Sequence, residues 1–381
     1  MMKRKQLATR LAIASMFLIH GVITGAWVPH IPLAQQRLGA DLAAFGLALL
    51  ALAAGAVTAM PIAGSLIHKH GSARVTLATG ILFCLSFPMP ALAGTIGWFV
   101  AGLAIFGAAM GAMDVAMNAQ ALAYEKQIGK PVMSLFHGMY SAGAMGGAGL
   151  SALVLGQFSA HTHLAGAVVI GLATICVAAF FLLPADTDRG LAEKRFFAWP
   201  SRATIGLGSL CFLAYMSEGA VLDWSAIELR QKFSLSAHVA GIGYGAFAGG
   251  MALARFTGDA LRSRFGPVAL VRSSAALAAA GMIIALAGQD AVMCIAAYGL
   301  AGLGLGNIVP VLLSGGGRLE PEAPGRAIAA VVAMGFAGSV IGPPFIGLAA
   351  QGAGLSAALG FIVIAMGIIV AVANTAKAAR V

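Results

Sequence analysis

The run Gly107-Ala-Ala-Met-Gly111-Ala-Met-Asp114-Val-Ala-Met-Asn118 decides how the rest of this chain is read. Its two glycines and two polar residues follow offsets of 0, 4, 7 and 11, so on a helix they form one stripe along one face. The surrounding stretch is apolar for long enough to cross about 30 Å of hydrocarbon, which takes roughly 20 helical residues. Both glycines recur 195 residues later, as Gly302 and Gly306. The same ungapped offset joins Gly46 to Gly241, Gly55 to Gly250, Gly71 to Gly266, Gly143 to Gly338 and Gly147 to Gly342. Chance gives roughly three such matches at this glycine content. The chain therefore reads as two equivalent sets of membrane helices, in which small residues let backbones approach where lipid supplies no hydrophobic force.

Composition supports that reading. Of 381 residues, 60% are apolar and only 9% charged, far too little polar surface to coat a soluble globule. Apolar runs between glycine, proline and charge predict spans near 8–28, 42–67, 75–93, 96–121, 132–157 and 164–183. Six more follow near 204–226, 237–259, 268–287, 290–315, 326–349 and 354–376. The expected architecture is all-α and polytopic, with a six-helix half at 1–185, a cytoplasmic connection at 186–203 and a second half at 204–381. Phe196, Phe197 and Trp199, beside Lys194, Arg195 and Arg202, give that connection the composition of a segment lying on the membrane surface.

The net charge of +10 does not indicate nucleic acid, because the basic residues are scattered between apolar runs. With the N-terminus inside, only Arg37, Arg230 and Lys232 of the 23 basic residues fall outside, which predicts both termini cytoplasmic. The apolar run that follows Arg10 reads as an uncleaved first span, since no convincing cleavage site follows it. Cys84, Cys176, Cys211 and Cys294 lie in apolar stretches without paired spacing, so no disulfide, metal site or cofactor is expected.

Six segments carry a family likeness. Gly64-Ser-Leu-Ile-His-Lys-His-Gly71-Ser-Ala-Arg74 resembles the signature loop of the major facilitator superfamily, with His68 where an acid usually stands. The second half has a fuller version in Arg255-Phe-Thr-Gly-Asp259-Ala-Leu-Arg262-Ser-Arg264-Phe-Gly266, and an inner-gate charge network is expected at Arg255 and Asp259, one turn apart. The opening stretch through Asn118, together with Ser134-Leu-Phe-His137-Gly-Met-Tyr140, Glu218-Gly-Ala-Val-Leu-Asp223-Trp224 and Gly304-Leu-Gly-Asn307-Ile-Val-Pro310, resembles the fucose-permease-like branch, nearest to rhizopine-permease-type proteins. The resemblance implies the facilitator fold, with twelve helices in two parallel six-helix repeats. It also implies that Asp114 contacts solute and takes part in proton coupling. A second acid that fucose permeases carry on their first helix has no counterpart in His20-Gly-Val-Ile-Thr24-Gly-Ala-Trp27.

Ionisable groups in hydrocarbon mark functional sites by default, against the plainer reading of a polar clasp between helices. Burial of Asp114 favours its neutral form, a condition for binding and releasing a proton. Glu218, on one face with Cys211 and Tyr215, is the second candidate for proton or solute contact. Asp223 and Trp224 read as an interfacial anchor or an outer-gate pair. His20, Trp27, Asn118, His137, Tyr140 and Asn307 complete the expected solute site, although a satisfied packing role is the commoner fate of each residue type. Asn307 with Pro310 predicts a break in the tenth span.

No P-loop, His-Glu-x-x-His or Gly-x-Ser-x-Gly motif is found, so neither an enzyme nor an ATP-driven pump is expected. The expectation is a monomeric, proton-coupled carrier of a sugar, polyol or inositol derivative in a bacterial inner membrane. The alternatives are an exporter of amphipathic compounds and, from another class, a non-transporting sensor.

Overall fold

The computed structural model describes residues 2–130, 132–184, 187, 201–202, 204–320 and 324–379, and every regular element among them is helical. Twelve long helices account for most of it. In the first half these are α1 (Arg4–Leu38), α2 (Leu42–His70), α3 (Ser72–Leu92), α4 (Ile96–Ile128), α5 (Met133–Leu155) and α6 (Ala160–Ala179). The second half has α7 (Ile205–Phe233), α8 (Ile242–Phe265), α9 (Pro267–Ala287), α10 (Ala291–Gly316), α11 (Arg326–Ala353) and α12 (Leu355–Ala378). Eleven of them are apolar enough to cross a membrane by composition alone; α8 is the exception because Arg255, Asp259, Arg262 and Arg264 crowd one end. Several run past the predicted spans, α4 reaching 33 residues, because a helix continues into water wherever its last turns are polar. Most of the predicted connection at 186–203, including Lys194, Arg195, Phe196, Phe197 and Trp199, lies outside the described residues.

Helix ends follow from local chemistry. The Thr95 hydroxyl accepts from the Trp98 N–H and starts α4, and Gly129, at φ 66°, ends it. Helices α2 and α3 meet at the single residue Gly71 (φ 80°, ψ 152°), and α8 and α9 meet at Gly266 (φ 78°, ψ 163°). A side chain at either position would be strained, so these two repeat-related glycines serve one backbone requirement.

The chain divides into two compact units, Met1–Leu38 with Ala51–Phe196, and Gly39–Leu50 with Phe197–Val381. The first turns of α2 therefore pack with the second unit. In the first unit α4 crosses α2 so closely that a Cβ on Gly107 would strike Leu52 O, one on Gly55 would strike Ala104 O, and one on Gly111 would lie 2.7 Å from Ala56 Cα. In the second unit the crossing of α8 and α10 repeats this with Gly302 against Phe247 O, Gly250 against Gly299 O, and Gly306 at 2.9 Å from Met251 O. Each partner lies 195 residues from its counterpart, as each glycine does. Gly143 against Leu18 O on α1 and Gly338 against Phe212 O on α7 follow the same scheme, displaced by one residue.

Two of the three basic residues assigned to the outside share a structural task at the same offset. Arg37 donates to Ala91 O at 2.7 Å and Ala93 O at 3.3 Å, and Lys232 donates to Leu286 O at 2.7 Å and Ala285 O at 3.1 Å. Each cation thus closes the carbonyl end of a neighbouring helix, where the helix dipole favours positive charge.

Candidate functional site

In the first unit, α1, α3, α4 and α5 converge on His20. Its Nε2 donates to Met110 O at 3.2 Å, and because a carbonyl only accepts, that nitrogen carries the proton. The ring is 2% exposed, stacks on Phe83 at 4.8 Å and lies 5.5 Å from the Tyr140 ring, while Nδ1 is buried without a partner. One turn along α4 from Met110 stands half-buried Asp114. The Asn118 amide donates to Asp114 Oδ1 at 3.2 Å and to its carbonyl at 2.9 Å, so the two polar groups of the opening stretch act as one pair. His137 lies edge-on to Phe17 at 5.5 Å, and Phe17 stacks on Phe136. Trp27 is further along α1, buried among Phe99 and Phe106, and packs there as a core side chain.

In the second unit, Arg255 Nη2 lies 3.6 Å from Glu218 Oε1, joining α8 to α7. Sequence spacing suggested Asp259 as the partner of Arg255; the structure supplies Glu218, and Asp259 is exposed. Tyr215, one turn before Glu218, packs at 5.5 Å from Phe336, and Gly335 makes room for its ring. Asn307 is buried at the break in α10, between the segments Ala291–Leu305 and Ile308–Leu319, and fills the space left open by Gly258. Pro310 has no N–H for the carbonyl of Gly306, so the break has a local cause. Trp224 is fully buried and meets Phe45, on the first turns of α2, edge-on at 6.3 Å. Asp223 is 4% exposed and its Oδ1 has no partner. Burial at this depth does not suit an interfacial anchor.

Two clusters had no sequence signal. His30 Nε2 lies 3.0 Å from His163 Nδ1, and His163 Nε2 lies 2.8 Å from Ser151 Oγ, which in turn donates to Gly147 O. Glu228 accepts from Ser356 Oγ at 3.0 Å and Tyr298 Oη at 3.4 Å, with Lys232 Nζ at 3.9 Å. Apart from Glu228 and Lys232, one turn apart on α7, their members lie up to 133 residues apart, and no spacing rule pairs those. Among the described residues no group of three or more His, Cys, Asp or Glu side chains could hold a metal ion.

A fold of twelve long helices, eleven of them apolar enough to span a membrane, has known relatives. The family model for the Major Facilitator Superfamily matches residues 11–210. An uncharacterized MFS-type transporter of Yersinia pestis is 36% identical over 380 residues, covering 98% of this chain and 95% of that protein.

The chain belongs to the major facilitator superfamily.

This facilitator protein is also 33% identical to the membrane protein MosC of Rhizobium meliloti over 366 residues, which covers 95% of this chain and 88% of MosC. Among solved structures, the nucleoside transporter NupG superposes with a TM-score of 0.71 at 14% identity, covering 97% of this chain and 98% of that one. A bacterial homolog of the human lysosomal transporter Spinster, in an inward-facing and occupied conformation, gives 0.69 at 16% identity, covering 98% and 96%. At such identities the superpositions establish the fold alone. Family membership makes this facilitator protein an integral membrane transporter and not an enzyme.

Proposed function

We propose that this transporter carries a small polar solute, of sugar, polyol or inositol-derivative type, by alternating access with proton coupling. What supports the reading is the polar content of α4 and α1: an intramembrane acid, Asp114, held by Asn118 one turn from the carbonyl that fixes His20. Intramembrane acids of transporters characteristically lie on solute and proton pathways. Aromatic rings at Phe83 and Tyr140 beside His20 suit the apolar face of a sugar or cyclitol ring, and His137 on α5 adds a polar group in the same unit; in the second unit Glu218 and Asn307 are the candidates for solute contact. The resemblance of the stretches around Asp114, His137, Asp223 and Asn307 to fucose permeases favours hydroxylated solutes over lipophilic ones. A bacterial inner membrane, with both termini cytoplasmic, completes the proposal.

The test is solute-driven proton movement in proteoliposomes, screened across sugars, inositols and amino compounds. The expected result is internal acidification with one solute class in the natural protein, and loss of accumulation of at least tenfold in Asp114→Asn. Equal accumulation by Asp114→Asn would refute its role in coupling, and accumulation with no proton movement would refute coupling altogether.

A further inference from the structure

Helix α7 carries three acids at five-residue intervals: Glu218, Asp223 and Glu228. The outer two each have a cation. Glu218 has Arg255 at 3.6 Å, and Glu228 has Lys232 at 3.9 Å together with the hydroxyls of Ser356 and Tyr298. The middle one is buried to 4% exposure with no hydrogen bond to its Oδ1, and the indole N–H of the adjacent Trp224 is buried and unpartnered as well. An ionised carboxylate with neither cation nor donor costs several kcal/mol more in such a place than a neutral acid does.

The elements packed against α7 offer nothing to change that balance. In the segment Gly39–Leu50 only Asp41 is ionisable, and it accepts from the Ala44 N–H at the start of α2; α11 has only Arg326 and α12 only Lys377, both near the opposite end of their helices. On α10 stand Cys294 and Tyr298, with Arg318 just past its end; Tyr298 is engaged with Glu228. On α8 and the turn before it are His238, Tyr244, Arg255, Asp259, Arg262 and Arg264; His238 bonds Ser236, Arg255 faces Glu218 and Arg262 bonds Ser314. None of these bonds or pairs with Asp223.

We infer that Asp223, and not Glu218, is the proton-binding carboxyl of the second unit. It holds a proton in this conformation, in which Phe45 and Gly46 pack against the neighbouring Trp224 so closely that a Cβ at Gly46 would lie 3.2 Å from the indole. When that end of α7 opens to water, the O–H bond breaks, the proton leaves to water and the electron pair stays on the carboxylate. The inference draws on the proton-coupled reading for its use, but the protonation itself is measured without any solute.

The experiment is infrared spectroscopy of the full chain reconstituted in lipid at neutral pH, following the carbonyl stretch of a protonated carboxylic acid. The expected result is a band present in the natural protein, lost in Asp223→Asn, and kept in Glu218→Gln and Glu228→Gln. An Asp223→Asn spectrum identical to the natural one, or loss of the band in Glu218→Gln, would overturn the inference. Asp223→Glu guards against misfolding of the first variant: a shifted band supports the assignment and an unshifted band refutes it. Failure of solute-linked acidification would sink the carrier reading while leaving this band untouched.

Discussion

Arg255 and Glu218 are 37 positions apart in sequence and on different helices, yet each is the other's charged neighbour in a half-buried setting. Removing Arg255 takes the cation away from the Glu218 carboxylate, which is more damaging than removing both. Arg255→Met is therefore expected to lower the thermal midpoint in detergent, and the double variant Arg255→Met with Glu218→Gln to recover part of it. The coupling should fall within about 0.5 to 3 kcal/mol. Additive losses in the double variant would show that the pair contributes no interaction. At this scale the sequence named most of the polar residues but not their partners. Asp114 and Asn118 were legible as a pair because one helical turn separates them. The contacts of His20 with Met110 O, of His30 with His163, and of Glu228 with Ser356 close over 90 or more residues and follow only from folding.

Among the elements, the glycines carry the structure, and they do so selectively. Gly107 and Gly302 let one helix backbone press on the carbonyl of another, whereas Gly166 on α6 and Gly367 on α12 have nothing within 4 Å. Gly107→Ala and Gly302→Ala are expected to destabilise by about 1 to 3 kcal/mol each, the range for forcing extra volume into a packed contact. Gly166→Ala and Gly367→Ala should leave the unfolding temperature unchanged or raise it slightly, since alanine is the better helix former. Equal effects at all four positions in a thermal unfolding series would contradict the close-crossing account. The 195-residue register made the matched glycines visible in sequence. Gly46 and Gly241 show its limit, because Gly46 lies beside Pro343 O and Trp224 while Gly241 ends the short turn before α8.

For the whole molecule, loop charge predicts orientation, and the cap geometry refines the argument. Arg37 and Lys232 are exceptions to the charge bias because each is held by helix carbonyls, which gives them a structural reason to lie at that end. A cysteine placed at Gly39, in a chain with exposed Cys176 replaced by serine, should react with a membrane-impermeant maleimide in intact cells. A cysteine at Lys130 should react only after permeabilisation. The reverse pattern would invert the proposed topology.

The sequence by itself determined the solvent, the number of long helices and the glycine register, because apolar length and residue order are properties of the chain, and its quoted motifs carried the resemblance to the family. Which acid on α7 stands without a cation was decided only by the tertiary structure. Lys232 stands one turn from Glu228 on the same helix, but the cation of Glu218 comes from α8 and the lack of one at Asp223 depends on every neighbouring helix, distances that no spacing along α7 encodes.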